Sequence, residues 1–186
     1  MSEAASISLG TATRIAHRSL EALPRLARVF ADDYREDELA ELIGCLLSIY
    51  YPLERRLTAG VPAGMLGYRP RVPMLEGAAT LLGLQNRKEV EVPALEREAE
   101  QWGAFYVVEG AALGGQLIHR RLQAHFPELP PKVLGFWHPH GDEIGERWRL
   151  FRRMADQELA DEEDRRLAIA SANSVFGVFA CGLDRI

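Results

Sequence analysis

Phe105-Tyr106-Val107-Val108-Glu109-Gly110-Ala111-Ala112-Leu113-Gly114-Gly115-Gln116-Leu117-Ile118 reads as the middle of a helix, yet it holds three glycines. Each glycine inside a helix costs about 1 kcal/mol relative to alanine, so the three together forfeit roughly 2–3 kcal/mol of local stability. Gly110 and Gly114 stand four apart, as do Ala111 and Gly115. All four therefore fall on one side of the helix and leave its backbone bare there. Two things suit such a face: a second helix crossing at close range, or a flat or bulky ligand. Spacing alone leaves both open.

Apolar residues recur at helical spacing on both sides of this stretch, and alternating β-branched runs are absent, which predicts an all-α fold. The chain has 186 residues, 47% of them hydrophobic, enough for a single domain over 1–186, with residues 1–10 expected as a flexible N-terminal segment. The glycine-bearing helix is expected from about Pro93 to about His125. Ahead of it the pattern predicts a first helix from about Thr11, capped by Ser8 or Thr11 and interrupted at Pro24 before Leu26 to Phe30. A turn at Asp32-Asp33-Tyr34-Arg35 follows. The second helix carries Leu39, Leu42, Ile43, Leu46, Leu47, Tyr50 and Leu53 and ends before Gly60. A loop rich in glycine and proline then runs from Gly60 to Pro73, a short helix from Met74 to Leu82, and a charged stretch over Asn86-Arg87-Lys88-Glu89. After the glycines, Pro127, Pro130 and Pro131 enforce a loop through Gly141, followed by helices over about Asp142 to Leu159 and Glu162 to Leu183.

A formal net charge of −5 argues against nucleic acid as the partner. Cys45 and Cys181 lie far apart with no CxxC spacing, so free thiols in a reducing, cytoplasmic compartment are expected. The first residues carry Glu3 rather than a basic start and lead into no long apolar run, unlike a signal peptide. No stretch is expected to reach the roughly 20 apolar residues of a membrane span.

One further cluster bears on what the glycine face meets. His17 and Glu21 are one helical turn apart, so an imidazole can ligate a metal while a nearby carboxylate holds its other ring nitrogen. One histidine is too few for a zinc site built by the protein. It is enough for haem, whose porphyrin supplies four ligands of its own. An ordinary half-buried histidine is the competing reading.

Taken together, the helix carrying His17 and Glu21, the helix with Tyr50 and Leu53-Glu54, and the segment from Tyr106 to Gln116 resemble heme oxygenase, particularly its bacterial forms, including those that accompany bacteriophytochromes. The resemblance runs from Thr11 to about Leu183. It implies a single all-α bundle that clamps haem between the first helix and a kinked, glycine-rich helix. By the same resemblance His17 is the axial ligand and Glu21 its acidic neighbour, while Gly110, Gly114 and Gly115 let the backbone press on the porphyrin. Arg14, Arg149 and Arg153 match the cations that hold the haem propionates, Arg152 pointing elsewhere on its helix. Each of the three is also readable as part of a solvated face. Tyr50 matches a tyrosine that helps hold ordered water, and Phe176 an aromatic that packs on haem, although core packing explains either one. The distal aspartate of the animal enzymes falls at Ala111, as the bacterial forms with a Tyr-Val-x-Glu-Gly segment also lack it. The implied reaction opens haem to biliverdin, carbon monoxide and ferrous iron, with haem as both cofactor and substrate. It calls for an electron donor such as ferredoxin or a reductase. Its product would serve a bacterial phytochrome or iron release. Two other function classes stand beside it: a non-catalytic carrier of haem or bilin, for which Ala111 is the chief argument, and a protein of the same scaffold acting on another small molecule.

The remaining signals read as structural. Trp137-His138-Pro139-His140-Gly141-Asp142-Glu143 is expected as a solvent-exposed interhelical loop rather than a metal cluster, and His119 and His125 as surface residues. Asp161-Glu162-Glu163-Asp164 suits a helix N-terminus, where the dipole favours acids. No G-x-S-x-G or phosphate loop occurs, and Ser171 and Ser174 have no nearby histidine and acid in sequence.

Overall fold

The structure is a computed structural model describing residues 4–57, 66–84 and 89–184. Among these residues there is no strand. The helices are α1 (Ala5–Glu21), α2 (Pro24–Arg28), α3 (Glu36–Leu57), α4 (Val72–Leu81), α5 (Glu98–His125), α6 (Pro131–Leu134), α7 (Ile144–Glu158) and α8 (Glu162–Asp184), with 3-10 turns at Gly135–Trp137 and Gly141–Glu143. The all-α expectation holds. Residues 60–65 of the expected glycine- and proline-rich loop and residues 86–88 of the charged stretch lie outside the described residues.

Helix α8 is the central element, packing against α5, α1 and α3. Among the described residues it also holds an 18-residue window, of mean hydropathy 1.5, that by length and composition alone is apolar enough to cross a membrane. Its apolar residues instead meet the three helices around it, as a core helix requires. Where α5 crosses α8, Gly103 faces the backbone of Ala168, and a Cβ at 103 would lie 2.8 Å from the Ala168 carbonyl carbon and 2.9 Å from its Cα. Gly182 likewise makes room for the side chain of Ile49.

Three local departures have physical reasons. Helix α1 begins at Ala5 rather than Thr11, so residues 5–10 are helical and not a flexible lead. Ala5 and Leu9 are buried, and the Ser6 amide donates to Asp156 Oδ1 at 2.7 Å, tying the first turn to α7. Neither Ser8 nor Thr11 acts as the cap. Helix α5 begins at Glu98 rather than near Pro93. Leu95 takes a positive φ of 55° with its side chain buried, and the Glu100 carboxylate accepts the Arg97 N–H at 2.9 Å to start the helix. Pro52 sits inside α3, where it cannot donate to the Ser48 carbonyl. The Val90 N–H takes that place at 3.2 Å, so the strap before α5 repairs the gap the proline leaves.

Pro24 stands in the first turn of α2, consistent with the interruption expected there. Arg25 Nε donates to the Leu183 carbonyl at 3.1 Å, and Arg121 Nη2 to the carbonyls of Phe30 and Ala31 at 3.1 and 2.9 Å. These bonds pin α2 and the turn after it over the ends of α8 and α5.

Candidate functional site

Helices α1 and α5 each pack on α8, and between them lies a cavity of about 900 Å³. That is near the upper end of the ~300–1,000 Å³ typical of small-molecule sites. His17, Leu20 and Glu21 line it from α1, and the stretch from Tyr106 to Ile118, apart from Glu109 and Gln116, lines it from α5. Phe176 and Phe179 of α8, Tyr50 of α3 and Phe136 close its inner end. Phe30 and Leu117, respectively 45% and 56% exposed, also line it, leaving apolar surface at its mouth.

The three glycines of α5 divide between the two readings of their spacing. Gly114 has nothing within 4 Å of where a Cβ would stand, so its bare backbone faces the open cavity. Gly110 is similar, with only the Trp148 ring edge at 3.5 Å, an ordinary contact. Gly115 is different: a Cβ there would come 2.8 Å from the Trp137 carbonyl oxygen. It lines the cavity, but what requires a glycine is the close crossing of the 135–137 turn beneath α5. We expect Gly114→Ala to stabilise the unliganded protein by about 0.5–1 kcal/mol, through helix propensity alone. Gly115→Ala should instead cost about 1–3 kcal/mol by forcing that turn away. Urea unfolding of the two variants measures the difference. Equal stabilities would mean the glycine face has a single use.

His17 lies on the cavity wall with 53% of its side chain exposed, and its Nδ1 is 3.4 Å from Glu21 Oε2. Phe176 meets its ring edge-on at a centroid separation of 5.8 Å. The structure therefore brings His17, Glu21 and Phe176 together at one side of the cavity and the glycines at the other. Arg14, Arg149 and Arg153 are exposed on α1 and α7 and do not line it. Arg149 Nε bonds the Gly145 carbonyl of its own helix at 3.1 Å, while Arg152 Nε reaches Ser6 Oγ at 3.4 Å.

Tyr50 is buried, lines the cavity and packs edge-on against Phe136 and Phe179 at 5.1 and 5.3 Å. Burial pushes its hydroxyl well above the ordinary tyrosine range, so it stays protonated at all working pH. Beside it sits a group that the sequence did not disclose. Arg71, 1% exposed, pairs with Glu109 at 3.0 Å, and His140 Nε2 lies 3.3 Å from the other Glu109 oxygen. Glu54 accepts the Arg71 and Val72 N–H groups and the Tyr68 hydroxyl, anchoring the segment before α4 to α3. Burial would raise the Glu109 pKa, but the hydrogen bond from His140 and the charge of Arg71 outweigh it, and the carboxyl sits below its usual range.

The segment expected as an exposed loop is thus partly buried, with only Asp142 and Glu143 exposed. Trp137, Pro139 and His140 are buried, because the 3-10 turns carry them under α5. The two other histidines are likewise not plain surface residues. His119 stacks on His138 at 4.9 Å, and His125 Nε2 donates to the Tyr34 carbonyl at 2.6 Å. Among the described residues no three histidine, cysteine, aspartate or glutamate side chains gather to hold a metal ion. A metal at His17 would have to arrive with ligands of its own. A largely apolar slot with one histidine on a wall and bare helix backbone opposite fits a haem group on these grounds.

The comparisons with known proteins bear on the same elements. The family profile described as heme oxygenase matches residues 84–183, which takes in α5, α7 and α8 but not His17. A heme oxygenase of Xanthomonas campestris pv. campestris (strain 8004) is 38% identical over 112 residues, 60% of this chain and 66% of that protein. The match therefore spans just under two thirds of that relative's length. Among solved structures, the NO- and CO-bound heme oxygenase of Neisseria meningitidis superposes with a TM-score of 0.80 at 18% identity, covering 98% of this chain and 91% of the other. Heme oxygenase-1 of the cyanobacterium Synechocystis in complex with heme follows at 0.75 and 16%, with the same coverage. At such identities the superpositions speak for the fold, α1 included, while the profile covers more than half of the sequence. The chain belongs to the heme oxygenase family.

Proposed function

We propose that this protein is a heme oxygenase that opens haem to biliverdin. The observation that carries the reading is the cavity itself, with His17 on α1 facing across it to the bare backbone of Gly110 and Gly114 on α5. When bound, haem supplies both the iron that activates dioxygen and the ring that is opened, releasing carbon monoxide and ferrous iron at the expense of seven electrons from ferredoxin or a reductase.

The residues of this chain bind, orient and exclude. A Glu21 carboxylate near Nδ1 favours the tautomer that leaves the His17 Nε2 lone pair for iron. Gly110 and Gly114 keep side chains out of the cavity where a haem ring would lie, and Phe176 and Phe179 would give the ring an apolar wall. Tyr50 brings a protonated hydroxyl to the inner end, where it can hold ordered water. Arg14, Arg149 and Arg153 are the cations we assign to the propionates, which requires them to swing from solvent onto the rim. Supply of bilin to a bacteriophytochrome, for which the Tyr-Val-x-Glu-Gly segment speaks, or release of iron, and a cytoplasmic site of action, complete the proposal.

Titration of the full chain with hemin should produce a Soret band that gives way to the red absorption of biliverdin once ascorbate or ferredoxin with its reductase is added under air. His17→Ala should weaken hemin affinity by more than about tenfold and abolish turnover. An unchanged band in that variant would remove His17 from the site. The second reading, a haem or bilin carrier, rests on Ala111, which lines the cavity without a carboxylate. A stable hemin complex that never converts would favour it.

A further inference from the structure

The turn after α2 is held to the molecule by hydrogen bonds more than by packing. No residue of α2 is buried. Val29 is fully buried and Tyr34 is 3% exposed, so the backbone is fixed at those two positions, with Tyr34 set against the rings of His125 and Phe126 at 6.4 and 6.1 Å. None of residues 30–33 between them is buried, and they hang on the end of α5. Arg121 Nη2 donates to the carbonyls of Phe30 and Ala31 and to Asp32 Oδ1, at 3.1, 2.9 and 2.9 Å. One helical turn further on, His125 Nε2 donates to the Tyr34 carbonyl at 2.6 Å.

This turn bears on the cavity through Phe30, which lines the mouth and is 45% exposed. Leu117, the other exposed apolar residue there, stands one turn before Arg121 on α5, and Gly114 stands two turns before it. The bare backbone, the rim and the guanidinium therefore follow one face of one helix. We infer that Arg121 is a positioning residue for the cavity mouth: it latches Phe30 at the entrance, and its release lets the 30–33 turn swing aside so that haem enters and product leaves. The inference rests on the haem reading. A charged donor shared among three acceptors holds more firmly than a neutral hydrogen bond, yet at a partly exposed edge it opens without unfolding the core. Such a latch acts on rates. It raises the barrier to passage in both directions and leaves the contacts of the bound state, at His17 and the glycine face, as they are.

The test follows hemin entering and leaving the full-length protein, entry by stopped-flow absorbance and departure by transfer to excess apomyoglobin. R121Q should speed association and dissociation together, each by about tenfold, with the dissociation constant within about twofold of the parent. R121K, which keeps a charged donor, should stay within about threefold of the parent rates. D32N, which leaves both carbonyl bonds of Arg121 in place, should match the parent. A merely structural role would accelerate dissociation alone and weaken the affinity. If R121Q does not fold, F30A decides, because it truncates the gate without touching the latch and should raise the association rate by a similar factor. Unchanged rates, or dissociation alone accelerated, would overturn the latch while leaving the haem reading intact. Failure of the parent chain to bind hemin would overturn both.

Discussion

Gly103→Ala is expected to destabilise the protein by at least about 3 kcal/mol, the largest effect of a methyl group added at any of the described glycines. On helix propensity alone the change should be worth about 1 kcal/mol in the opposite direction. The sign is reversed by what a Cβ meets: the carbonyl oxygen of Ala168, with its carbonyl carbon at 2.8 Å and Cα at 2.9 Å. Backbone on a 23-residue helix cannot turn aside as a side-chain tip would. The α5/α8 crossing must open, and it carries both the glycine face and the floor of the cavity. Urea unfolding of the unliganded protein measures the loss, with Gly114→Ala as the internal control, since that glycine has open space around it. A Gly103→Ala variant as stable as the parent would mean that the crossing is looser than described.

Arg71→Met should be comparably damaging, by about 3–5 kcal/mol at pH 7, because it leaves Glu109 ionised and buried with His140 against it and only the more distant charge of Arg147 to help. The pH dependence identifies the cause. In the parent, the Glu109 pKa is depressed on folding, so its contribution is present above the unfolded value of about 4.3 and is lost as pH falls through the lower folded value. Without Arg71, burial has less to oppose it and the folded pKa rises. Protonation then relieves the variant, and its deficit should shrink between pH 7 and about pH 5. Urea midpoints at the two pH values give the answer. A deficit independent of pH would assign the loss to packing of the arginine stem instead.

Much of this molecule is legible in its sequence because the signals are local. The 3.6-residue recurrence of apolar positions is enough for α3, α5, α7 and α8, and Pro24 marks the start of α2. The face of Gly110 and Gly114 and the one-turn spacing of His17 and Glu21 follow from helix geometry alone. What the sequence missed at the same scale was overruled by partners far along the chain. The start of α1 depends on Asp156, and the start of α5 on a buried Leu95 with a positive φ. The Trp137-to-Glu143 segment has the composition of an exposed loop, and only the crossing beneath α5 buries Trp137, Pro139 and His140 while Asp142 and Glu143 stay exposed.

The helical class, the order of the helices and the residues that can share a face depend on neighbours within a few positions, and the chain encodes them directly. Packing of the helices settles what each face meets. It separated Gly114, which opens on the cavity, from Gly103 and Gly115, which serve close backbone crossings, although all three carry the same side chain and the same helical cost. It also assembled Arg71, Glu109 and His140 from positions 38 and 69 residues distant from Arg71. Charge pairing across such separations leaves no periodicity in the chain, because its energy arises from burial and distance, and both exist only once the helices have packed.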